Sequence, residues 1–547
     1  MPSQTPCGTT EIDIPSFGRI TGLLYPSETR QFCGVPYARL RKRWTRSSLN
    51  TSLSGGRHDG TQHGPICPPP TEFNGGEDPM VPVPWFRHFK SPIRDDLKCL
   101  NLNIVLPPGN HARPLPVLVW IHGGSFLFGS STVPTYDMVN LVTYSNDIGQ
   151  PIVGISINYR VGIFGFLASE AIKDDLSRDG LAGVGNFGLI DQQIALQWIQ
   201  QYVATVGGDP GNVTIFGESA GGMSVAHQIW ATKPAAFRRA ISMSGTLNTI
   251  PAWPLEQHER RYQALLSHLK ISRDPSTPDA LEALRSIPQE AIAAATCAIE
   301  GSVFATGNPC DDGWFHARKP LVSEISSPPE WLQSYMIGDV KDEAMIFRGV
   351  LDDQDYGSIC SHISRFMTVD QASEILSLYG LHSNLAHDQL EQRFEEMAGD
   401  GIFKIQTRIH ARVSQVKQTY AYHVDQLSTL HNPLQGLAYH AIELLYIFMN
   451  MEEDMTQDQI QLSRAMAADF LSFAYGEAPW EIASNGKWMV YGPNSARRVK
   501  TEDEDEGVRK YGRMKRIQDM KVFPQWVEAL DYIVNKRWLL GCSASEK

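Results

Sequence analysis

The amino-acid sequence predicts an α/β fold, in which a large, mostly parallel central sheet is flanked by helices. Two observations lead to this prediction. Short, continuous apolar runs alternate with helical patterns along the chain, as they do in consecutive βαβ units. One of these runs passes directly into Gly-Glu-Ser-Ala-Gly at 217–221, and a helix-favouring segment follows at once. The order strand, tight turn, helix is typical of an enzyme nucleophile.

Each predicted element follows from its local pattern. Three apolar or β-prone runs predict strands: 117–121, 152–157 and 212–216. The first of them is continuous and ends in glycines, as expected for a buried central strand. Residues 192–202 carry apolar side chains at helical spacing, and the residues from 223 onward also favour a helix.

The longer segments around this sheet are predicted to be insertions. The stretches from about 254 to 294 and from about 352 to 412 have mainly helical patterns and are expected to cap the sheet. Residues 61–86 are rich in proline and glycine, which predicts a long surface excursion. No repeat or low-complexity linker divides the chain, so residues 1–547 are predicted to form one α/β domain.

Composition excludes several classes of function. A net charge of -12 disfavours nucleic acid and anionic membrane surfaces as partners, because both require clustered Lys and Arg. No apolar run is long enough to span a bilayer. The eight cysteines are too widely spaced for a zinc site, and no metal or cofactor is predicted. The acidic run 502–506 is interpreted as a solvated loop.

The N-terminus bears on cellular location. It has no basic segment followed by an apolar stretch, which predicts a cytoplasmic protein unless a natural leader has been removed. The glycosylation sequons at Asn50 and Asn212 are accordingly interpreted as coincidental. The oligomeric state is left open by the sequence.

The pentapeptide 217–221 makes Ser219 the candidate nucleophile. Glycines two positions on either side allow a strand and a helix to pack closely around a sharp turn, which leaves the serine strained and its hydroxyl exposed. The N–H groups at the start of the following helix point to where negative charge develops.

A second glycine-containing loop completes an oxyanion site. Gly123 and Gly124 follow the strand predicted at 117–121, and their N–H groups, with that of Ala220, are the candidate oxyanion donors. His122 could be mistaken for the catalytic base. We interpret it as structural, because the base is expected last in the chain order of this fold.

Longer motifs resemble those of a known family. Four stand in order before the nucleophile: FCGVPYA at 32–38, NYRVGIFGF at 158–166, GNFGLIDQQ at 185–193 and GGDP at 207–210. Together they resemble the type-B carboxylesterase and lipase family, which includes cholinesterases and fungal lipases, and the chain looks most like a fungal member. The resemblance runs from about residue 15 to about residue 540. It implies the α/β-hydrolase fold and a serine esterase activity.

The resemblance also implies a base that follows the acid in the chain. Seven histidines follow residue 343: His362, His382, His387, His410, His423, His431 and His440. The segment 436–443 is similar to the family's catalytic-histidine motif, which makes His440 the predicted base. His423 lies in a predicted strand and is interpreted as structural.

The acid is assigned in the same way. Residues 335–347 are similar to the family's acid motif, which has a glutamate where Glu343 stands. The adjacent Asp342 is the main rival and Asp339 a weaker one. Ala344 replaces the glycine that usually follows the glutamate.

The resemblance also implies two disulfides. Cys67 with Cys99 corresponds to the first family disulfide, and Cys297 with Cys310 resembles the second. The acidic pair that usually precedes the first bridge is absent here, because the matching run is Asp96-Leu97-Lys98-Cys99. This puts the family's salt bridge to an arginine like Arg43 in doubt.

Several other positions correspond to those of the family. Glu218, Asp191 and Arg160 are interpreted as structural residues beneath the site. Three aromatic residues are candidates for lining an acyl pocket: Trp253, Trp314 and Phe315.

The predicted function is hydrolysis of a neutral, fairly hydrophobic ester through an acyl-enzyme. A lactonase, thioesterase or acyltransferase acting on a complex metabolite, as in secondary metabolism, would use the same residues, since exclusion of water decides between them. A catalytically silent, cholinesterase-like binding protein is a further alternative. Such proteins typically lose the serine or the histidine, and both are present here.

Overall fold

The structure is a computed structural model. It describes residues 4–70, 92–233, 236–272, 279–300, 307–321 and 328–536, and only the backbone of residues 297 and 300. Most of the predicted surface excursion at 61–86 therefore lies outside the described residues. Throughout the part of the chain that is described, no helix combines the length and the apolar character needed to cross a bilayer.

The strands are β1 (Gly8–Ile14), β2 (Gly18–Leu24), β3 (Arg30–Pro36), β4 (Ala38–Arg39), β5 (Ser48–Leu49), β6 (Arg57–Asp59), β7 (Asn101–Leu106), β8 (Leu115–Ile121), β9 (Val153–Ile157), β10 (Gly208–Glu218), β11 (Arg239–Met243), β12 (Trp253–Pro254), β13 (Cys310–Asp311), β14 (Ser334–Val340), β15 (Gln418–Val424), β16 (Lys487–Tyr491) and β17 (Arg497–Thr501).

The helices are α1 (Val139–Asp147), α2 (Gly162–Phe166), α3 (Glu170–Arg178), α4 (Phe187–Tyr202), α5 (Ala220–Ile229), α6 (Leu255–His268), α7 (Ala280–Ser286), α8 (Gln289–Glu300), α9 (Tyr356–Ile363), α10 (Val369–Leu378), α11 (His387–Gly399), α12 (Ile405–Val413), α13 (Glu443–Phe448), α14 (Gln457–Tyr475), α15 (Glu502–Arg509), α16 (Tyr511–Asp519) and α17 (Phe523–Val534). The chain also contains a 3₁₀ turn at Glu343–Phe347 and a π-helix at Asp400–Lys404.

One large sheet organises the fold. Its order is β1-β2-β3-β7-β9-β8-β10-β11-β14-β15-β16-β17, with β6 beside β2. All pairings from β9 through β16 along this path are parallel, whereas β7 and β17 pair antiparallel at either side. The predicted strands and the mostly parallel α/β sheet are confirmed.

Both faces of the sheet are buried. Along β8 the side chains of Val117, Val119 and Ile121 join one apolar core, and those of Leu118 and Trp120 join the other. A strand covered on both sides must be apolar at every position, because neighbouring side chains point to opposite faces. This explains the continuous apolar run in the sequence.

The register brings the carboxyl ends of the central strands to one edge. Ile121 pairs with Gly217, Glu218 with Met243, and Met243 with Gly338. Loops that follow β8, β10 and β14 therefore meet at this edge, which is where parallel α/β sheets bind ligands.

The two segments predicted to be caps carry the helices that their patterns indicate. The first contains α6, α7 and part of α8, and the second contains α9, α10, α11 and α12. The helices of the second segment pack with α16 and α17 in an apolar cluster of their own. Their assignment as caps of a single domain stays a prediction.

The interpretation of the acidic run as a solvated loop is wrong. Residues 502–509 form α15, whose N-terminus is closed by a capping box between Thr501 and Glu504. Acidic side chains in a first helical turn are stabilised by the helix dipole. Glu502 and Asp505 are also buried. Arg408 bonds Glu502 at 2.8 Å, and Lys500 bonds Asp505 at 2.9 Å.

Arg43 forms a salt bridge although the acidic pair before Cys99 is missing. The Nε of Arg43 lies 2.6 Å from the Oδ2 of Asp96. Asp96 stands three residues before Cys99, where the chain approaches β7, so a carboxylate bonds Arg43 in this chain as well.

Candidate active site

Ser219 lies between β10 and α5 in a strained backbone conformation. Its φ and ψ are 55° and -124°, which an L-residue adopts only when its surroundings enforce it. The Ser219 N–H donates to the Met243 carbonyl at 2.8 Å, and the Met223 N–H donates to the Ser219 carbonyl at 2.8 Å. The turn is thereby fixed to both β11 and α5.

Glycines make this turn possible. A Cβ on Gly217 would lie 2.6 Å from the Ile121 carbonyl oxygen, and one on Gly221 would collide with the same oxygen. A Cβ on Gly245, in the loop after β11, would collide with the Ser219 carbonyl oxygen. Close approach of three chain segments thus explains the glycines on either side of Ser219.

The loop after β8 lies directly on the nucleophile. A Cβ on Gly123 would be 2.6 Å from the Glu218 carbonyl oxygen and 3.1 Å from the Ser219 Cβ. Gly124 has a φ of 107°, which favours glycine. Among the described residues neither N–H has a protein acceptor. Ala220 begins α5, so its N–H has no intrahelical acceptor either.

His122 is held away from the chemistry. It is fully buried, and its ring stacks on Tyr159 with the centroids 4.4 Å apart. The Tyr159 hydroxyl donates to the His122 carbonyl at 2.8 Å. Burial lowers the pKa of His122 to about 4. The ring is therefore neutral at ordinary pH and packs beneath the loop of Gly123, in agreement with a structural role.

Glu343 and His440 form a close pair. The Glu343 Oε2 lies 2.5 Å from the His440 Nδ1, and both side chains are buried. The other carboxylate oxygen accepts the Val340 N–H at 2.9 Å. Glu343 enters the site from the end of β14, and His440 from the loop after β15.

The two rivals of Glu343 have other partners. Asp342 accepts the Ala438 N–H at 2.8 Å and donates its own N–H to the Ala438 carbonyl at 2.9 Å, which ties the acid loop to the histidine loop. Asp339 lies 2.7 Å from the His423 Nδ1. Of the three carboxylates, only that of Glu343 contacts His440.

Glu218, which the sequence analysis interprets as structural, lies directly beside the candidate base. Its Oε1 lies 3.1 Å from the His440 Nε2. The imidazole therefore sits between two carboxylates, whereas the Ser219 hydroxyl makes no hydrogen bond to the described residues, His440 included. Asp191 and Arg160 do fit the structural interpretation, since they form a fully buried pair at 2.7 Å.

The charges around His440 set its protonation. Burial opposes the charged ring, but the charge of Glu218 and the hydrogen bond to Glu343 outweigh it and raise the pKa of His440 to about 9. A third carboxyl, that of Glu443, accepts from the Ser244 hydroxyl at 3.4 Å. Burial and the charge of Glu218 raise the pKa of Glu443 well above its usual value, which favours its neutral form.

These charges predict the pH dependence of activity. A general base must be neutral, so kcat/KM is expected to rise about tenfold per pH unit up to about pH 9 and then to level off. Glu218→Gln removes a charge that favours the imidazolium, so the rising limb should move to lower pH. Glu443→Gln should move it less, because the charge of Glu443 contributes less than that of Glu218 to the raised pKa of His440. An identical limb in wild type and Glu218→Gln would contradict this electrostatic assignment.

Phe403 is a second residue that sequence reasoning missed. Its ring centroid is 4.9 Å from that of His440 and 6.4 Å from that of Phe347. Phe403 lies in the π-helix at Asp400–Lys404, a feature that often marks functional sites. Gln406 satisfies two carbonyls of this turn, those of Gly401 and Ile402.

The aromatic residues predicted to line a pocket differ in environment. Trp253 is buried under the Arg261 guanidinium, 4.7 Å from its ring centroid. Trp314 packs under Arg46 at 3.7 Å, and Phe315 belongs to the main core. None of them has a ring contact with His440 among the described residues. A pocket role for these residues stays a prediction.

Three of the four cysteines predicted to form disulfides are described with their side chains. Cys67 and Cys99 are free thiols in the structure, and both are buried. The hydrogen bond with Cys67 and burial raise the pKa of Cys99 well above its usual value. The two thiols are thus neighbours, and their oxidation stays a prediction. Cys310 is likewise free, and the side chain of Cys297 lies outside the described residues.

Comparison with known proteins agrees with this geometry. The model of the carboxylesterase family matches residues 8–519. The chain belongs to this family. Lipase 3 of Yarrowia lipolytica is 30% identical over 93% of this chain and 99% of its own length. The para-nitrobenzyl esterase of Bacillus subtilis is 29% identical over 79% of this chain and 82% of its own length.

Solved structures agree on the fold. A PNB esterase superposes with a TM-score of 0.73 at 24% sequence identity, over 92% of this chain and 99% of that one. The α/β-hydrolase fold implied by the sequence motifs is confirmed. As a member of the carboxylesterase family, the protein is a carboxylester hydrolase. In the described part of the chain, no three His, Cys, Asp or Glu side chains are grouped so as to hold a metal ion.

Proposed function

We propose that this carboxylesterase hydrolyses a neutral, fairly hydrophobic ester through an acyl-enzyme on Ser219, with His440 as base and Glu343 as acid. One observation carries the proposal. The Glu343–His440 pair, at 2.5 Å, lies at the same sheet edge as the strained turn of Ser219 and the loop of Gly123. Nucleophile, base, acid and oxyanion donors thus come from different loops and converge there.

The first half of the reaction makes a covalent ester. The Ser219 Oγ attacks the substrate carbonyl carbon while the His440 Nε2 accepts the hydroxyl proton. Glu343 holds the ring by its Nδ1 and stabilises the imidazolium. The tetrahedral intermediate then collapses, the C–O bond to the alcohol breaks, and His440 returns its proton to the departing oxygen.

The oxyanion is stabilised by three backbone N–H groups. Those of Gly123, Gly124 and Ala220 have no acceptor among the described residues, so they are available to the negative oxygen. Loss of one such donor typically removes about 3 kcal/mol of transition-state stabilisation. In the second half, His440 takes a proton from water, which attacks the acyl carbon; the bond to the Ser219 Oγ then breaks, and His440 returns the proton to that oxygen as the acid product leaves.

Proton transfer requires His440 to exchange partners. In the free enzyme its Nε2 faces Glu218 at 3.1 Å, and Glu218 is the chain neighbour of Ser219. A movement of the ring or of the Ser219 side chain must replace the contact with Glu218 by one with the Ser219 hydroxyl. Catalytic hydrogen bonds commonly tighten only when substrate is bound.

The surroundings of His440 support a neutral, apolar substrate. Glu218 and Glu343 are buried beside the reacting centre, and like charges in a low dielectric repel strongly. An anionic acyl group is therefore disfavoured. The ring of Phe403 against His440 offers an apolar wall instead.

Partitioning between water and methanol tests the covalent route. Butyrate esters of p-nitrophenol and of phenol, incubated with the enzyme at one methanol concentration, should give the same ratio of methyl butyrate to butyric acid. The ratio is set by the shared butyryl-Ser219, which no longer contains the leaving group. A ratio that depends on the leaving group would contradict an acyl-enzyme and indicate direct attack on the ester.

A further inference from the structure

Arg509 connects the ends of two central strands. It is the last residue of α15, and its side chain is buried. Its Nη1 donates to the Asp339 Oδ1 at 2.6 Å and to the Val340 carbonyl at 3.1 Å. Its Nη2 donates to the Asp425 Oδ1 at 2.5 Å. One guanidinium therefore bridges the end of β14 and the residue after β15.

Val340 links this bridge to the acid. The carbonyl of Val340 accepts from Arg509, and its N–H donates to the Glu343 Oε1 at 2.9 Å. The other oxygen of Glu343 lies 2.5 Å from the His440 Nδ1. A continuous series of hydrogen bonds thus leads from Arg509 to the imidazole, and each step in it is buried.

The same peptide is held on its other side. Asp339 also bonds the His423 Nδ1 at 2.7 Å, and the His423 Nε2 lies 2.8 Å from the Tyr511 hydroxyl. The His423 ring stacks on Trp488 with centroids 4.3 Å apart. α15, α16 and β16 therefore all contribute to fixing the backbone from which Glu343 projects.

We propose that Arg509 is a positioning residue for Glu343, acting through the backbone of Val340. The proposal rests on the triad proposed above. A guanidinium is planar and directs several N–H groups at once, whereas an ammonium cannot bond Asp339, Asp425 and a carbonyl together in this geometry. Buried ion pairs are weak sources of stability by themselves. The guanidinium can hold Glu343 in a precise position, which an apolar side chain of equal size could not do.

Arg408 provides a matched control. It is equally buried and bonds Glu502, at the other end of α15, through Nε at 2.8 Å and Nη2 at 3.1 Å. Its hydrogen bonds within the described residues reach Glu502 and Gln518, and none reaches residues 339–343. Arg408→Lys thus perturbs a buried pair of the same helix without touching the acid.

The test compares Arg509→Lys with Arg408→Lys in p-nitrophenyl butyrate hydrolysis across pH. Arg509→Lys should lower kcat between about tenfold and about a hundredfold with KM changed less than about twofold, as for a misplaced catalytic group. The rising limb of its pH–activity profile should move to lower pH. Three carboxyl groups favour the imidazolium of His440, those of Glu218, Glu343 and Glu443, and a looser Glu343 contributes less. Arg408→Lys should leave kcat and the limb close to those of the wild type.

A double variant separates positioning from stability. In a Glu343→Gln background, Arg509→Lys should lower kcat by less than about twofold further, since residues that act as a unit are not additive. An equal loss in both backgrounds, or a folded Arg509→Lys with wild-type kcat and pH limb, would overturn the proposal. If Arg509→Lys does not fold, Asp425→Asn replaces it and is judged by the same two results. Wild-type hydrolysis that survives in Ser219→Ala would instead overturn the proposed triad.

Discussion

Ser219→Ala is expected to lower kcat for p-nitrophenyl butyrate on the order of 10⁵-fold, because the nucleophile is lost while the oxyanion donors and the binding surface remain. Folding should be preserved. The Ser219 hydroxyl makes no hydrogen bond to the described residues, so its removal leaves no buried partner unsatisfied. Initial rates and a urea unfolding curve measure the two effects.

Ser224→Ala is the matched control for that prediction. Ser224 lies in α5, the helix that follows Ser219, and is fully buried; its hydroxyl donates to the Ala220 carbonyl at 2.8 Å and accepts from the Gln192 Nε2 at 2.9 Å. Its loss should lower the free energy of unfolding by about 1 kcal/mol and leave kcat nearly unchanged. A Ser219→Ala enzyme with more than about 1% of wild-type kcat would be incompatible with serine as nucleophile.

Glu343→Gln is expected to lower kcat about 10⁴-fold with a small effect on KM. An amide next to the His440 Nδ1 removes the charge that stabilises the imidazolium and permits the wrong tautomer of the ring. The volume of the side chain is unchanged, so the Val340 N–H keeps an acceptor. Steady-state kinetics at the pH optimum of each variant measures the loss.

Asp342→Asn tests the rival assignment. Asp342 accepts the Ala438 N–H at 2.8 Å, and an asparagine oxygen accepts the same bond. The variant should therefore retain kcat within about tenfold of the wild type. If Asp342→Asn instead lost activity more strongly than Glu343→Gln, the acid would have to be reassigned to Asp342.

The parts of the site predicted from sequence are those that depend on local backbone geometry. Gly217 and Gly221 are required because neighbouring segments leave no room for a Cβ. Such a requirement can be recognised from a short sequence motif. The loop of Gly123 is fixed in the same way. Glu343 and His440 lie far apart in sequence, and longer motifs were needed to assign them.

The parts that sequence reasoning missed depend on where side chains point in the folded molecule. Glu218 stands in the nucleophile motif, but only its rotamer shows that it faces the His440 Nε2. Phe403 reaches His440 from a π-helix more than a hundred residues after β11, and local pattern does not reveal that distortion. The acidic run forms a helix whose N-terminus is closed by the local capping box of Thr501 and Glu504, and only its partner Arg408 comes from a distant part of the chain.

Labelling with a fluorophosphonate, followed by mass spectrometry of the intact protein and of its peptides, tests the central claim most directly. Such reagents react with a serine only when the base and the oxyanion donors activate it. The account predicts one adduct per chain, located on the peptide that contains Ser219, parallel loss of p-nitrophenyl butyrate hydrolysis, and no adduct in Ser219→Ala. A folded, active enzyme that remains unlabelled, or that carries the adduct on another residue, would contradict it.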